Sequence, residues 1–403
     1  MRVLMLNAFH WLKGGVERTL FDETRWLRAA GHDVAAFATR DARNVPSPLE
    51  RHFAPAADFG EETPAWRQLP QLSRAIWSAP AARALAGLLA EWRPDVAHVH
   101  APSRYLTPSV LAELARARVP TVMTLHDFKP WCTNRVLFAL GAPCERCRGG
   151  HHWHAVATGC VQHSRLKSLV GAVEAYTHDR RGAYAGIRTF LAPSRFVREK
   201  VVHLGADPAR VQVLLHGVEP TATGATQPGL PERFVFYAGR LSEEKGVRLL
   251  PALSRAIAPV PLFIAGGGPL EPWLRERTSA TFRLLGHLAS DVLAAVRSRA
   301  TAVLVPSLFP ETFGYAVAEA QLEGRVVVAS RIGALEELVE QEVTGLLVTP
   351  GNETSLIAAT RRVLMDRAAP GWGVAAREQA ARTLSPASHT TGLVAAYEAA
   401  IRG

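Results

Sequence analysis

Two glutamates lie close to a glycine in TAVLVPSLFPETFGYAVAE, residues 301–319. The apolar start, residues 301–307, predicts a buried strand, and a helical pattern follows the Pro-rich turn. Glu311 follows the strand, Gly314 lies near the helix start, and Glu319 is eight residues beyond Glu311. A free amide at Gly314 suits a phosphate, whereas carboxylates accept hydrogen bonds from vicinal hydroxyls. The alternative is that a carboxylate only stabilises the helix dipole. This would account for Glu311, at the helix start, but not for Glu319.

A second charged loop occurs in YAGRLSEEKGV, residues 237–247. Arg240 and Lys245 stand five residues apart where a strand is predicted to end. Two cations at the carboxyl end of a strand would neutralise a diphosphate leaving group. The alternative is that both are solvated surface charges. The GGGPL loop, with Gly266 and Gly267, offers another place where backbone comes close to a ligand.

A glycine pair, Gly14 and Gly15, follows the first predicted strand and precedes a helical pattern. Backbone amides at such a helix start attract an anion, although a tight turn alone would also use two glycines. The chain has neither GxGxxG nor GxxxxGK[ST]. Nicotinamide and ordinary nucleoside-triphosphate chemistry are therefore disfavoured.

The elements that position these loops alternate between strands and helices. Residues 16–30 predict a helix that ends before Gly31, and apolar runs lie on both sides of it. Strand, helix and strand in this order indicate a parallel sheet covered on both faces. The predicted strands of this first series are 2–8, 33–39, 95–100, 119–126 and 188–194.

A second series of strands begins near residue 233. The predicted strands are 233–239, 260–266, 282–286, 301–307, 325–330 and 345–348. Two doubly wound α/β domains are therefore expected, with ligands in the cleft where the carboxyl ends of their strands meet. The predicted divisions are domain 1–218, linker 219–232, domain 233–385, and a C-terminal helix at 386–403 that packs back toward the first domain; residues 41–75 are predicted to be loops and short helices.

In combination, PETFGYAVAEA, YAGRLSEEKG, GGVER and RIGALEEL resemble the retaining nucleotide-sugar glycosyltransferases of family 4. The resemblance covers essentially the whole chain, and its C-terminal motifs are the more specific. It implies the GT-B fold, in which two Rossmann-like doubly wound domains face each other across a cleft.

The resemblance also implies residue roles. Glu311 would hold hydroxyls of the donor sugar and Glu319 the ribose, while Arg240 and Lys245 would hold the diphosphate. Further donor-binding residues would be Gly15, Gly266, Gly267, Phe313 and Gly314. His126, in TLHD at a predicted strand end, would face the sugar and the acceptor, although a lone histidine at a strand end is often structural. His216 replaces the asparagine that the family commonly has before Gly-Val, and it is assigned no role.

The implied function is transfer of a sugar, with retention, from a nucleoside-diphosphate sugar to an acceptor hydroxyl. Polysaccharide, glycolipid or glycoconjugate biosynthesis would use such a reaction. Fixed cations would make a catalytic cofactor unnecessary. The alternatives are an epimerase or phosphorylase of the same fold, or a non-enzymatic sugar- or nucleotide-binding protein. Release of nucleoside diphosphate only when acceptor is present would distinguish the transferase.

All four cysteines lie in a predicted insertion, residues 127–165, with the spacing C-x11-C-x2-C-x12-C. They are Cys132, Cys144, Cys147 and Cys160. Four thiols with a CxxC pair predict a structural metal site, with zinc favoured over an iron-sulfur cluster. A disulfide or redox pair and unliganded thiols are the alternatives. Nearby histidines could replace a cysteine as ligand: His151, His152, His154 and His163.

The chain is basic, with 46 Lys and Arg against 36 Asp and Glu among 403 residues. Only five of the 46 are lysines, so genome composition can explain most of this charge. The alternative is attraction to anions. A saccharide or lipid-linked acceptor and peripheral contact with a membrane would fit, whereas no basic and aromatic pattern suggests nucleic acid. The N-terminus predicts a first strand rather than a signal peptide, which favours a cytoplasmic protein.

Overall fold

The computed structural model of the chain describes residues 1–56, 73–220 and 229–403. Parts of the predicted loop region 41–75 and of the predicted linker 219–232 lie outside the described residues. In the described part of 41–75, a 3-10 turn occurs at Glu50–His52, and residues 73–75 are helical. Across the described residues, no helix combines the length and the apolar character needed to cross a membrane.

The first half of the chain forms a six-stranded parallel sheet. Its strands are β1 (Arg2–Leu6), β2 (Asp33–Phe37), β3 (Val96–Val99), β4 (Thr121–Thr124), β7 (Thr189–Ala192) and β8 (Val211–Val213), and a separate hairpin contains β5 (Phe138–Ala139) and β6 (Ala142–Pro143). The strand order is β2-β1-β3-β4-β7-β8, with parallel pairing throughout. The order changes direction between β1 and β3, so the loops after these two strands border a crevice.

Helices cover both faces of this sheet. They are α1 (Gly15–Ala29), α2 (Ala79–Glu91), α3 (Ser103–Leu106), α4 (Ser109–Arg116), α5 (Trp153–Thr158), α6 (Arg165–Arg180) and α7 (Arg195–His203). Helix α1 buries Leu20, Glu23 and Leu27 on one side, as its spacing of apolar residues predicts apart from the glutamate. Helix α7 begins at Ser194, whose hydroxyl accepts a hydrogen bond from the Val197 amide at 3.1 Å.

The second half forms another six-stranded parallel sheet. Its strands are β9 (Val235–Ala238), β10 (Leu262–Ala265), β11 (Phe282–Gly286), β12 (Ala302–Val305), β13 (Val326–Ser330) and β14 (Gly345–Val348). The strand order is β11-β10-β9-β12-β13-β14. The remaining helices are α8 (Leu250–Ile257), α9 (Glu271–Arg275), α10 (Ser290–Arg297), α11 (Tyr315–Leu322), α12 (Leu335–Leu338), α13 (Glu353–Met365), α14 (Ala369–Thr383) and α15 (Pro386–Arg402). Two Rossmann-like α/β units are thus present, and the predicted fold class is confirmed.

The structure contains three strands that the sequence did not predict. They are β8 and the two hairpin strands β5 and β6, and none of them exceeds three residues. An apolar run this short carries no readable period. The hairpin turn uses Leu140 and Gly141, both with positive φ, which is the backbone form that two-residue hairpin loops require.

Helix α15 returns to the first sheet. Its buried residues Leu393, Ala396, Tyr397 and Ala400 share one apolar cluster with Val3, Met5, Leu20 and Leu27 of the first unit. The Arg188 side chain donates to the carbonyl of Ala400, which fixes the end of the helix against the start of β7. The last helix is therefore part of the core of the first unit.

A buried ion pair also anchors α15. His389 Nε2 lies 2.9 Å from Glu23 Oε1, and both side chains are almost completely buried. Burial alone raises the pKa of Glu23, but the nearby His98 and the hydrogen bond from His389 outweigh burial and lower it. Burial lowers the pKa of His389, but the hydrogen bond that His389 donates to Glu23 outweighs that effect and raises it. Each group thus favours the charged form of the other.

We predict that His389→Gln lowers the free energy of unfolding by roughly 3 kcal/mol near neutral pH, because it leaves Glu23 buried without its cation. The raised pKa of His389 makes its contribution fully present below pH 6.5 and lost as pH rises through the folded value. The lowered pKa of Glu23 makes its contribution present above pH 4.5 and lost as pH falls through the folded value. The difference between wild type and variant should shrink in both directions, as measured by denaturant unfolding across pH.

The double variant Glu23→Gln/His389→Gln is the control for this prediction. Its loss should be smaller than the sum of the two single losses, because each single variant already breaks the same pair. A loss that does not change with pH would contradict the charged state of the pair.

Candidate active site

The loops that follow β9 and β12 meet at the carboxyl edge of the second sheet. These strands are neighbours, and the strand order changes direction between them. Gly246 has φ 71°, and a Cβ atom there would lie 1.9 Å from the carbonyl oxygen of Pro306. The Leu308 amide donates to the Glu244 carbonyl at 2.8 Å. Only glycine allows this approach, which brings the two charged loops together.

The approach of these loops brings a lysine side chain into contact with a glutamate side chain. Lys245 Nζ lies 2.6 Å from Glu311 Oε1, and the Ser307 hydroxyl donates to the same oxygen at 2.6 Å. The side chains of Lys245 and Glu311 are 28% and 12% exposed. Both therefore remain reachable from the cleft while they fix each other's position. Arg240 is exposed, and its carbonyl accepts a hydrogen bond from the Tyr237 hydroxyl at 2.9 Å.

The glycine loop after β10 packs on the Arg240 segment. Gly266 has φ 129°, and a Cβ atom there would lie 2.0 Å from the carbonyl oxygen of Gly239. The carbonyl of Gly267 accepts a hydrogen bond from the Leu241 amide at 2.9 Å. Gly266 and Gly267 thus lie directly beside the loop that carries Arg240 and Lys245.

The start of α11 faces the start of α1 across the two units. Gly314 precedes α11 with φ 100°, and Phe313 beside it is buried. A Cβ atom on Gly15, the first residue of α1, would lie 3.5 Å from the ring of Tyr315. The Tyr315 hydroxyl and Thr19 Oγ1 are 2.5 Å apart. Both helix starts, with their unpaired amides, therefore border one crevice.

Glu319 lies closer to the helix start than its spacing from Glu311 suggested. Helix α11 begins only at Tyr315, so of the eight positions between Glu311 and Glu319 only the last turn is helical. Its carboxylate pairs with Arg18 of α1 and with Arg297 of α10. Arg297 is only 3% exposed. Glu319 is thus held between the two units by two arginines.

His126 lies against the loop that carries Glu311. The Thr312 hydroxyl donates to the carbonyl of His126 at 3.2 Å. The ring of His126 stacks on His216 with 5.4 Å between centroids, and His216 in turn contacts Phe313 at 5.0 Å. Burial lowers the pKa of His126 to about 4. Its imidazole is therefore neutral near pH 7 and can accept a hydrogen bond.

Two further contacts join the units beside this crevice. The Ser194 hydroxyl donates to the carbonyl of Thr312 at 2.9 Å. Glu337 of α12 accepts hydrogen bonds from the Arg195 and Phe196 amides, at 3.0 and 2.5 Å. A side chain of the second unit therefore caps helix α7 of the first.

The four cysteines gather at a different place. Cys132, Cys144, Cys147 and Cys160 all line one small cavity in the insertion, together with His154. All four belong to the described chain and are free thiols. Cys132 is buried, and the other three are half-buried. This donor set suits a tetrahedral thiolate-bound metal such as zinc, and it lies apart from the crevice residues.

The structure also adds residues that sequence reasoning missed. Arg18 and Thr19 lie three and four residues after Gly15, and Ser307 ends the predicted strand of the Glu311 motif. Their positions in or near the GGVER and PETFGYAVAEA motifs were the signal from which these residues could have been predicted. Glu23 lies on the apolar face of α1, and a carboxylate in such a stripe was a further signal. Arg297 had no signal, because its partner lies on another helix.

Comparison with known proteins identifies the family of this chain. The profile described as "Glycosyltransferase Family 4" matches residues 13–222, and that described as "Glycosyl transferases group 1" matches residues 232–366. A glycogen synthase of Mycobacterium tuberculosis is 30% identical over 438 aligned positions, which cover 100% of this chain and 96% of that enzyme.

Solved structures show the same fold. Sucrose-phosphate synthase from Thermosynechococcus elongatus superposes with a TM-score of 0.72 at 21% identity, covering 98% of each chain. HepE of Anabaena, solved in complex with UDP-glucose, superposes with a TM-score of 0.67 at 19% identity, covering 99% of this chain and 100% of that one. From its matching profiles and its full-length relative, this chain belongs to glycosyltransferase family 4 and has the GT-B fold.

Proposed function

We propose that this glycosyltransferase moves a sugar from a nucleoside-diphosphate sugar to an acceptor hydroxyl with retention of configuration. The observation that carries the proposal is the Lys245–Glu311 contact of 2.6 Å at the carboxyl edge of the second sheet. A cation and a carboxylate there, near a helix start, match a ligand that joins a diphosphate to a hydroxyl-rich sugar.

The leaving group determines the roles of the cations. As the bond between the sugar C1 and the phosphate oxygen breaks, its electron pair goes to the diphosphate. Lys245 and Arg240 stabilise the negative charge that develops, aided by amides near Gly314, Gly266 and Gly267. The roles follow from fixed protein charges, so catalysis needs no cofactor in this proposal.

The sugar and the nucleoside occupy opposite sides of this diphosphate. Glu311 accepts hydrogen bonds from donor-sugar hydroxyls, and Phe313 packs behind the loop that presents it. Glu319 binds the ribose, beside Arg18 from the facing unit. Gly15 lies against the phosphates from that unit, and His126 contacts the sugar and the acceptor. The acceptor oxygen attacks C1 from the face that the diphosphate leaves, and its proton passes to a departing phosphate oxygen.

Relatives support the substrate classes. HepE was solved with UDP-glucose, and the mycobacterial relative is a glycogen synthase. We propose a nucleotide-linked sugar as donor and a saccharide or lipid-linked acceptor, in polysaccharide, glycolipid or glycoconjugate biosynthesis on the cytoplasmic side of the membrane. Nucleic acid has no role in this proposal.

The cysteine cavity supports a structural zinc site. Cys132, Cys144, Cys147 and Cys160 would hold the ion, with an iron-sulfur cluster as the alternative that uses the same ligands. The bound ion would crosslink the ends of the insertion that follows His126. It would brace the acceptor side of the crevice and take no part in bond breaking.

Peripheral contact with a membrane is supported by one face of α6. Leu166, Leu169 and Val173 are 72, 48 and 47% exposed, at the spacing of one helical face. Arg165 and Lys167 beside them are exposed and basic. Apolar side chains flanked by cations fit the boundary of an anionic lipid surface.

The functional prediction uses release of nucleoside diphosphate. We expect release from UDP- or GDP-linked sugars only when acceptor is added, and a product whose anomeric proton keeps the donor configuration by NMR. Lys245→Ala and Arg240→Ala should each lower kcat/KM by ~30-fold to ~10³-fold, since each removes roughly 2–4 kcal/mol of transition-state stabilisation. Arg248→Ala is the matched control, because Arg248 in the same segment pairs with Glu243 on the surface. Near-normal turnover in both variants would refute the leaving-group roles.

The metal prediction concerns the purified protein. Elemental analysis should find about one zinc ion per chain, and Cys144→Ser/Cys147→Ser should lose it together with thermal stability. His163→Ala serves as a control, because His163 does not line the cysteine cavity. A metal-free preparation that is fully active and equally stable would contradict the site.

The membrane prediction concerns lipid vesicles. The protein should sediment with vesicles that contain anionic phosphatidylglycerol more than with phosphatidylcholine alone. Leu166→Glu/Leu169→Glu should reduce sedimentation at least several-fold. Met365→Glu/Val374→Glu introduces the same two charges at exposed sites on α13 and α14 and should leave sedimentation unchanged. Equal sedimentation of the double variant and wild type would exclude this face.

A further inference from the structure

A chain of buried polar side chains connects the last helix to His126. Glu23 Oε1 lies 2.9 Å from His389 Nε2, and Glu23 Oε2 lies 3.4 Å from His100 Nε2. On the other side of its ring, His100 Nδ1 lies 3.0 Å from His126 Nε2. Glu23, His100 and His389 are almost completely buried. The order of groups is therefore His389, Glu23, His100 and His126.

The first member of this chain is a cation. His389 Nδ1 lies 2.6 Å from the carbonyl oxygen of Leu215, and its Nε2 faces the carboxylate of Glu23. A carbonyl and a carboxylate both only accept hydrogen bonds. Both ring nitrogens of His389 therefore carry hydrogen, and the imidazolium balances the charge of Glu23.

The next contact determines the tautomer of His100. Glu23 Oε2 and His100 Nε2 are both buried, and neither has a regular hydrogen-bond partner among the described residues. If Nε2 carried no hydrogen, its lone pair would face the carboxylate oxygen at 3.4 Å. A hydrogen on Nε2 replaces this repulsion with attraction. His100 therefore carries its hydrogen on Nε2, and its Nδ1 is an acceptor.

The same reasoning extends to His126. An acceptor at His100 Nδ1 requires a donor at 3.0 Å, and that atom is His126 Nε2. Burial keeps His126 neutral near pH 7, because it lowers the pKa to about 4. Its single ring hydrogen therefore lies on Nε2, and Nδ1 keeps its lone pair. In the described part of the chain, Nδ1 makes no protein hydrogen bond.

We propose that Glu23 and His100 are positioning residues that fix the tautomer of His126, so that Nδ1 is presented as a hydrogen-bond acceptor for a substrate hydroxyl. The use of that acceptor rests on the proposed function. Glu23 does this from inside the core, without contact with the substrate. Its other oxygen pairs with α15, so the last helix holds the carboxylate in place.

A divalent cation is the competing occupant of this cluster. Glu23 Oε2, His98 Nδ1 and His100 Nε2 all lie within 4.8 Å of one another. His98 Nδ1, however, already has a partner in the Tyr397 hydroxyl at 2.7 Å. An ion would also add two positive charges beside the buried imidazolium of His389, where one carboxylate balances only one charge. The charges of Glu23 and His389 therefore favour a hydrogen on His100 Nε2 over a metal ion between Glu23, His98 and His100.

The test is ¹⁵N NMR of the full-length protein labelled at histidine, with the His126 signals assigned from their loss in His126→Gln. Wild type should carry the hydrogen of His126 on Nε2. In Glu23→Met and in His100→Phe, His126 should become a mixture of tautomers. Turnover of both variants should fall at least ~10-fold. This loss is smaller than the ~10⁴-fold that a serine protease loses when its histidine takes the wrong tautomer. Tyr397→Phe, in the same cluster, should retain the wild-type tautomer.

The outcomes separate this proposal from the proposed function. Three results would overturn the positioning role. The first is a hydrogen on Nδ1 of His126 in wild type, and the second is the same tautomer in wild type and both variants. The third is one divalent metal ion that wild type holds and Glu23→Met loses. A changed tautomer with unchanged turnover would support the positioning role and contradict the substrate contact of His126. His100→Phe leaves the Glu23–His389 pair intact, so it remains informative if Glu23→Met does not fold.

Discussion

The candidate site depends on the close approach of backbone segments at the carboxyl edge of the second sheet. Gly246 lies against Pro306, Gly266 against Gly239, and Gly333 within contact of the Glu311 backbone. A side chain at the first two positions would overlap a carbonyl oxygen. Because these segments interlock, the Lys245–Glu311 contact is set by main chain and does not rely on flexible side chains finding each other. This is the preorganisation that electrostatic stabilisation of a leaving group requires.

Polar contacts join the two units beside the aromatic contacts of Tyr315 and His216. Arg18 pairs with Glu319, Ser194 bonds the Thr312 carbonyl, and Glu337 caps helix α7. Each contact joins a loop or helix end of one sheet to the facing one, at the edge where ligands of parallel sheets bind. Polar contacts of this kind can exchange with a charged ligand at low cost, since a nucleotide offers hydroxyls and phosphates to the same partners. Under the proposed function, the interface would also form part of the binding surface.

Sequence patterns predicted the repeated architecture well and the long-range partners poorly. Continuous apolar runs identified eleven of the strands of the two large sheets, because buried parallel strands carry that signal locally. The Glu311 and Lys245 motifs were found because each follows a strand end. Glu23, His98 and His389 could not be grouped from sequence, since 366 positions separate Glu23 from His389 and only the fold brings them together. The start of helix α11 could not be predicted either, because it depends on the turn at Gly314, and the φ of 100° at that glycine cannot be read from the sequence.

Helix α15 has a consequence for how the protein is made. Residues 386–402 are synthesised after the whole second sheet, yet their buried side chains complete a core that begins with Val3 and Met5. Domains usually fold in the order of synthesis, but here the opening strands keep an uncovered apolar face until the second unit and helix α15 have been synthesised. The C-terminal unit has all its own strands by Val348 and can fold while the N-terminal unit still waits. In nascent chains the first unit, more than the second, should therefore need protection by chaperones.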